Sequence, residues 1–121
     1  MIRDVTDLSV YTESLDLIKH LYDLLRKLPK SETDSINQLK RAAKSISANI
    51  SEGFAKRSSE KEFKRFLKIS IGSSDEVVTH FRTIYHAVPR LQKDIENLAI
   101  KYKTLSKRIN KLHSIWRSDK F

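Results

Sequence analysis

Apolar residues in the last third of the chain recur at alternating steps of four and three positions. The row consists of Leu91, Ile95, Leu98, Tyr102, Leu105, Ile109, Leu112 and Trp116. This spacing keeps the apolar side chains on one side of an α-helix, whereas a strand would need an apolar residue at every second position. It therefore predicts a helix over residues 90–116 with one buried face.

The first segment, residues 8–28, contains two apolar rows side by side. One row is Leu8, Tyr11, Leu15, Ile18, Tyr22 and Leu25, and the other is Leu17, Leu21, Leu24 and Leu28. Together they form a wider apolar face than a helix needs to pack on one core. The surplus lies either deeper in the core or in a subunit interface, and the pattern alone leaves both open. Pro29 ends this helix, because the residue before a proline disfavours helical backbone.

A second helix is predicted over residues 32–54, opened by Ser31 as N-cap and Asp34 in its first turn. Its apolar face is Ile36, Leu39, Ala43, Ile46, Ile50 and Phe54. Gly53 stands near the end of this face, where a left-handed terminating residue is expected.

A third helix is predicted over residues 60–87, opened by the capping pair Ser59 and Glu62. Pro89 then separates it from the fourth helix. The short connections between the four predicted helices imply neighbours that run in opposite directions. We expect an all-α protein, an antiparallel up-down-up-down four-helix bundle that forms a single domain over residues 1–121.

Composition supports helices and narrows the function. The 121 residues include only two Gly and two Pro, too few for an all-β fold, and no Cys for disulfides or thiolate metal sites. No apolar stretch reaches the length of a spanning helix, and the N-terminus lacks a signal-peptide core. We expect a soluble cytoplasmic protein that has no membrane association, metal or cofactor.

Charge is unevenly distributed along the chain, whose formal net charge is +9. Residues 1–25 carry five acidic and two basic side chains, whereas residues 97–121 carry seven basic and one acidic. Such asymmetry indicates an anionic partner or charge pairing between subunits. The candidate contacts to the backbone of RNA or DNA are Lys40, Arg41, Lys44, Lys61, Lys64, Arg65, Lys68, Lys101, Lys107, Arg108 and Lys111.

A column of polar residues on the second helix has two interpretations. Its members are Arg41, Ser45, Asn49 and Glu52, and Glu76 is expected on the facing helix. A binding or catalytic cluster is one interpretation. We favour a structural network that satisfies buried groups and sets helix register. No catalytic residue is assigned, and we expect the protein not to be an enzyme.

One enzymatic alternative rests on Arg108 and His113. Their spacing is similar to the active-site motif of the HEPN ribonucleases, which cleave RNA without metal. Surface cations at the end of the fourth helix are the simpler interpretation, since such a pair arises easily in a basic chain.

Residues 38–76 resemble a known bacterial family. They contain QLKRAAKSISANISEGF over residues 38–54, EFKRFL over residues 62–67 and GSSDE over residues 72–76. This pattern is similar to that of the four-helix bundle proteins encoded by intervening sequences of 23S ribosomal RNA genes. The resemblance implies a homo-pentamer. It also implies kinship with the accessory variability determinant of diversity-generating retroelements, which binds nucleic acid and a reverse transcriptase.

Two functions therefore remain open. The first is an oligomeric scaffold that binds nucleic acid, with a reverse transcriptase as a further partner on the resemblance alone. The second is a structural or protein-binding oligomer in which the acidic first helix pairs with the basic helices of neighbouring subunits.

Overall fold

The chain folds into four long α-helices, and a computed structural model describes residues 2–120. The helices are α1 (Ser9–Leu25), α2 (Thr33–Ala55), α3 (Glu60–Ala87) and α4 (Gln92–Ile115). Single turns of 3-10 helix at Val5–Asp7, Lys30–Glu32 and Pro89–Leu91 precede α1, α2 and α4. Residues 2–120 contain no strand, so the predictions of an all-α chain and of four helices are confirmed. No helix in that range is both long and apolar enough to cross a membrane.

Helix α3 begins at its predicted cap. The Ser59 side chain accepts a hydrogen bond from the backbone N–H of Glu62 at 3.2 Å, which satisfies one of the unpaired donors of the first turn. The Glu62 carboxylate accepts a hydrogen bond from Arg65 Nε at 3.0 Å. The capping serine predicted from the sequence thus sets where α3 begins.

The two apolar rows of α1 have different environments. The core contains the second row, formed by Leu17, Leu21, Leu24 and Leu28. In the first row, Leu8 and Leu25 are buried at the two ends, whereas the middle of the row is at the surface. There Leu15 is 43% exposed, and its neighbours Tyr11, Ile18 and Tyr22 are only partly buried.

The apolar row that leads into and along α4 forms one wall of the core. All of its members are buried except Leu112, which is partly buried. The Trp116 ring packs edge-on against Phe63, with ring centroids 4.6 Å apart. Burial of each large apolar side chain contributes about 1.5–3 kcal/mol to stability, so this row is a principal source of it.

Buried serines join α3 to both of its neighbours. Ser70 Oγ donates to the backbone carbonyl of Ile46 on α2 at 3.1 Å, and Ser74 Oγ donates to that of Tyr102 on α4 at 3.0 Å. Both serines are fully buried, and their small side chains allow the helix backbones to approach closely. Helix α3 therefore packs tightly between α2 and α4.

Gly53 does not end α2 in a left-handed conformation, so that expectation was wrong. No glycine in residues 2–120 has a positive φ, and α2 continues through Gly53 to Ala55. Instead, a Cβ added at Gly53 would lie 2.6 Å from the Cβ of Phe66 and 3.0 Å from the ring of Phe63. Glycine is needed here because α2 and α3 touch at this point.

The two glycines should therefore respond oppositely to alanine. Gly53→Ala should lower the free energy of unfolding, because overpacking costs about 1–3 kcal/mol and exceeds the gain of about 1 kcal/mol in helix propensity. Gly72→Ala is the matched control, since a Cβ at this exposed position of α3 has no neighbour within 4 Å. It should stabilise the protein by about 1 kcal/mol. Urea unfolding of both variants measures the difference, and stabilisation by Gly53→Ala would contradict this packing.

Candidate nucleic-acid interface

Helix α1 is acidic, whereas the later part of α4 is basic. Helix α1 carries three acidic residues and one Lys, whereas α4 carries six basic and two acidic residues. In the part of α4 over residues 97–115 there are five cations and no carboxylate. Helix α1 packs mainly on α2 and α4, while α3 packs between α2 and α4. The outer surface formed by α3 and α4, named the α3/α4 face, is therefore remote from most of the acidic residues of α1.

Three basic side chains converge on the α3/α4 face, where the start of α3 meets the end of α4. Lys64 and Lys68 lie one turn apart on α3, and His113 lies beside them on α4. Partial burial of the imidazole, together with the positive charges of Lys68 and Lys64, holds the pKa of His113 below its usual range. Glu60 is the nearby carboxylate, 3.7 Å from the Lys64 ammonium. An anion placed here would relieve the repulsion between the two lysines.

Four of the predicted nucleic-acid contacts have partners within the chain. Lys64 pairs with Glu60, Arg65 with Glu62, and Arg108 with Glu13. Lys40 lies over the ring of Tyr22, 5.0 Å from its centroid. Seven others are exposed and form no ion pair within residues 2–120, namely Arg41, Lys44, Lys61, Lys68, Lys101, Lys107 and Lys111. Most of the eleven predicted contacts are therefore available to a partner.

The structure does not bring all of the predicted contacts onto one surface. Lys101 lines a cavity shared with His20 and Asp23 of α1, and Lys111 lines another near Asp7. These two lysines therefore lie on the α1 side of α4. Lys64, in contrast, belongs to α3.

Two cations of the α3/α4 face were not among the predicted contacts. Arg82 of α3 and Lys103 of α4 line one cavity together. The signal that could have identified Lys103 is its spacing from His113, because residues 103, 106, 110 and 113 form a row of three-four steps along one side of α4. That row becomes recognisable only when the side of α4 that meets α3 is known.

Of the five residues in the predicted polar network, the structure joins only Ser45 and Asn49 by hydrogen bonds. Asn49 Nδ2 donates to the carbonyl and the hydroxyl of Ser45 at 2.8 and 2.9 Å, and Ser45 Oγ lies 2.8 Å from Ser73 Oγ on α3. Glu52 and Glu76 are exposed and are not joined to this group. Glu52 pairs with Lys56, and Glu76 lies near His80 on its own helix. Arg41, the fifth member, is also exposed.

Arg108 and His113 contact different helices. The Arg108 guanidinium pairs with Glu13 and donates to Ser9 Oγ at 2.7 Å, both toward α1. His113 instead lies beside the lysines of α3. The two side chains therefore do not share one site within a single chain. Residues 2–120 also contain no group of three or more His, Asp and Glu side chains arranged to bind a metal.

The convergence of basic groups predicts how His113 titrates. Lys68→Gln should raise the pKa of His113, because it removes one of the positive charges that lower it. Lys19→Gln on α1 makes the same change in net charge away from the site and should leave His113 unaffected. NMR titration of the imidazole protons measures both variants. A pKa of His113 that does not move in Lys68→Gln would show that the charges do not converge.

A protein-family model matches most of the chain. A family model described as 23S rRNA-intervening sequence protein matches residues 6–111, which include the motif over residues 38–76. No curated protein matches the chain significantly.

Proposed function

The chain belongs to the 23S rRNA-intervening sequence protein family, as its motif over residues 38–76 predicts, and we propose that it is a non-enzymatic, oligomeric scaffold that binds RNA or DNA. The observation that carries the proposal is the convergence of Lys64, Lys68 and His113 on the α3/α4 face. Lys64 and Lys68 are like charges one turn apart on α3, and such a pair favours a ligand of opposite charge. The phosphate backbone supplies such charges at regular intervals.

Phosphate contacts of this kind act without reading sequence. Each lysine that neutralises a phosphate releases condensed counterions, and this release makes affinity depend steeply on salt. Phe66 is a partly buried aromatic residue near the basic start of α3, but the cations of Lys56 and Arg65 lie 5.0 and 4.3 Å from its ring centroid. The Phe66 ring is thus already covered by these cations. This supports contacts to the phosphate backbone of the nucleic acid, rather than base stacking, at the start of α3.

We also propose that the helices are antiparallel, in up-down-up-down order. Gly53 near the end of α2 lies against Phe66 near the start of α3. Ile46, earlier on α2, accepts a hydrogen bond from Ser70, later on α3. Contacts that run in opposite order along two helices support opposite directions for this pair.

The assembly that we propose is a homo-oligomer, of five copies as the resemblance implies. It is supported by the exposed middle of the first apolar row on α1, centred on Leu15. A contiguous exposed apolar surface commonly marks an interface. A second copy of this chain is a suitable partner for the exposed row of α1, because the basic α4 of that copy complements the acidic α1. In a closed assembly the +9 charge of each chain is repeated, which strengthens the field around it.

The second candidate is a structural or protein-binding oligomer without nucleic-acid binding. It is favoured by the opposite charges of α1 and α4, which the pair Glu13–Arg108 joins within one chain. A ribonuclease gains no support, since Arg108 and His113 contact different helices within the chain. A reverse transcriptase remains a partner suggested by the resemblance alone.

Binding should follow the charges of the α3/α4 face. Replacing Lys64 and Lys68 by Gln together should make the slope of log affinity against log salt shallower by about 0.7 per lost contact on a single strand. The control replaces Lys19 and Lys30 by Gln, which removes the same charge elsewhere and should leave the slope close to that of the parent protein. Fluorescence anisotropy between about 50 and 200 mM salt, over which the Debye length roughly halves, provides the slopes. A flat affinity over this range for the parent protein would contradict the proposal.

Assembly should depend on the exposed row of α1. Leu15→Glu places a charge in the middle of that row and should dissociate the oligomer, because burying an unpaired carboxylate is costly. Ile100→Glu is the control, since Ile100 on α4 is 54% exposed and lies outside the row. Sedimentation velocity measures both. If Leu15→Glu sediments as the parent protein does, α1 is not the interface.

A further inference from the structure

A groove between the later part of α3 and the earlier part of α4 encloses a cavity of about 310 Å³. Its apolar floor consists of Val78, Phe81, Tyr85, Ile95 and Ala99. Phe81 and Ile95 are each 1% exposed, whereas Tyr85 and Ala99 are partly exposed. The volume and the apolar lining match the lower end of the range for small-molecule sites. A flat apolar group the size of a nucleobase could enter from the surface.

The rim of this groove is mainly basic. Arg82, His86 and Lys103 lie on it, with Glu96 as the one acidic residue of the lining. No carboxylate within residues 2–120 forms an ion pair with Arg82 or Lys103. Asp75, which lines an adjoining cavity with both cations, accepts a hydrogen bond from Ser106 at 2.9 Å. The groove thus combines an apolar floor with cations that lack ion-pair partners.

We propose that this groove binds one unstacked nucleotide of a single strand. The base occupies the apolar cavity, and its phosphate lies between Arg82 and Lys103. His86 and Glu96 offer hydrogen-bonding groups to the polar edges of the base. A phosphate-bearing ligand fits better than a purely apolar one, because the rim carries three basic residues and one acidic residue. This inference rests on the proposed function, because the nucleotide in the groove belongs to the strand that is proposed to bind the α3/α4 face.

The position of the groove suits such a strand. Lys64 and Arg82 are 18 residues apart on α3, which corresponds to about 27 Å along the helix axis. That distance is long enough for several nucleotides, so a strand can contact Lys64 and Lys68 at one end and the groove at the other. A duplex keeps its bases stacked and paired, and it cannot place one in the cavity. The protein should therefore prefer single strands over duplexes.

The experiment compares a single DNA strand of about 12 nucleotides, a length typical of single-strand sites, with the same strand built from abasic spacers. The parent protein should bind the intact strand at least about fivefold more tightly, which is the low end of the effect of one stacked base. Ala99→Phe fills the cavity and should abolish this preference. Ile100→Phe is the matched control on the adjacent, exposed residue and should retain the preference.

Each other outcome is decisive. If the parent protein binds both strands equally and with a steep salt dependence, the groove proposal is overturned and the proposed function stands. If it binds neither strand, both are overturned. If Ala99→Phe instead changes the oligomer mass by light scattering and keeps the base preference, the groove is a contact between copies. Should circular dichroism show that Ala99→Phe is unfolded, Ala99→Leu fills less of the cavity and must reduce the preference, or the proposal fails.

Discussion

The close packing of α3 between α2 and α4 is the constraint on which the rest of the structure depends. Gly53 allows α2 to touch Phe66, and the buried hydroxyls of Ser70 and Ser74 bond to the carbonyls of α2 and α4. With two sides of α3 occupied in this way, its charged residues lie on the remaining outer surface. Lys64 and Lys68 consequently lie on the α3/α4 face, where their charges act on His113.

The helices were predictable because their signals are local. Apolar spacing, the Ser59 cap and the prolines act within a few residues, and four helices are found. The fate of the two rows of α1 was not predictable, since either Leu15 or Leu17 could face the core until the positions of α2 and α4 were known. For Gly53, local rules favour a left-handed helix end, but a contact with another helix is the actual reason for glycine.

The candidate site was predictable only in part. Counting charge identified residues 97–121 as a basic segment, yet charge along a sequence does not show which side of a helix meets its neighbour. Lys101 and Arg108 therefore lie toward α1, whereas Lys64 and Lys68 lie on the α3/α4 face. Lys103 and Arg82 were not identified from the spacing of charges, and both line the groove between α3 and α4. Likewise, Asn49 joins Ser45 and Ser73 as a structural group, whereas Glu76 lies at the surface.

The proposed functions use different parts of the surface. In these proposals the apolar middle of α1 is the assembly surface, and the α3/α4 face is the nucleic-acid surface. Size-exclusion chromatography with light scattering, run on nucleic-acid-free protein with and without a single-stranded RNA, tests both at once. We expect the mass of several copies for the protein alone and a larger mass with RNA at low salt, reversed at high salt. A monomeric mass that RNA leaves unchanged would contradict both proposals.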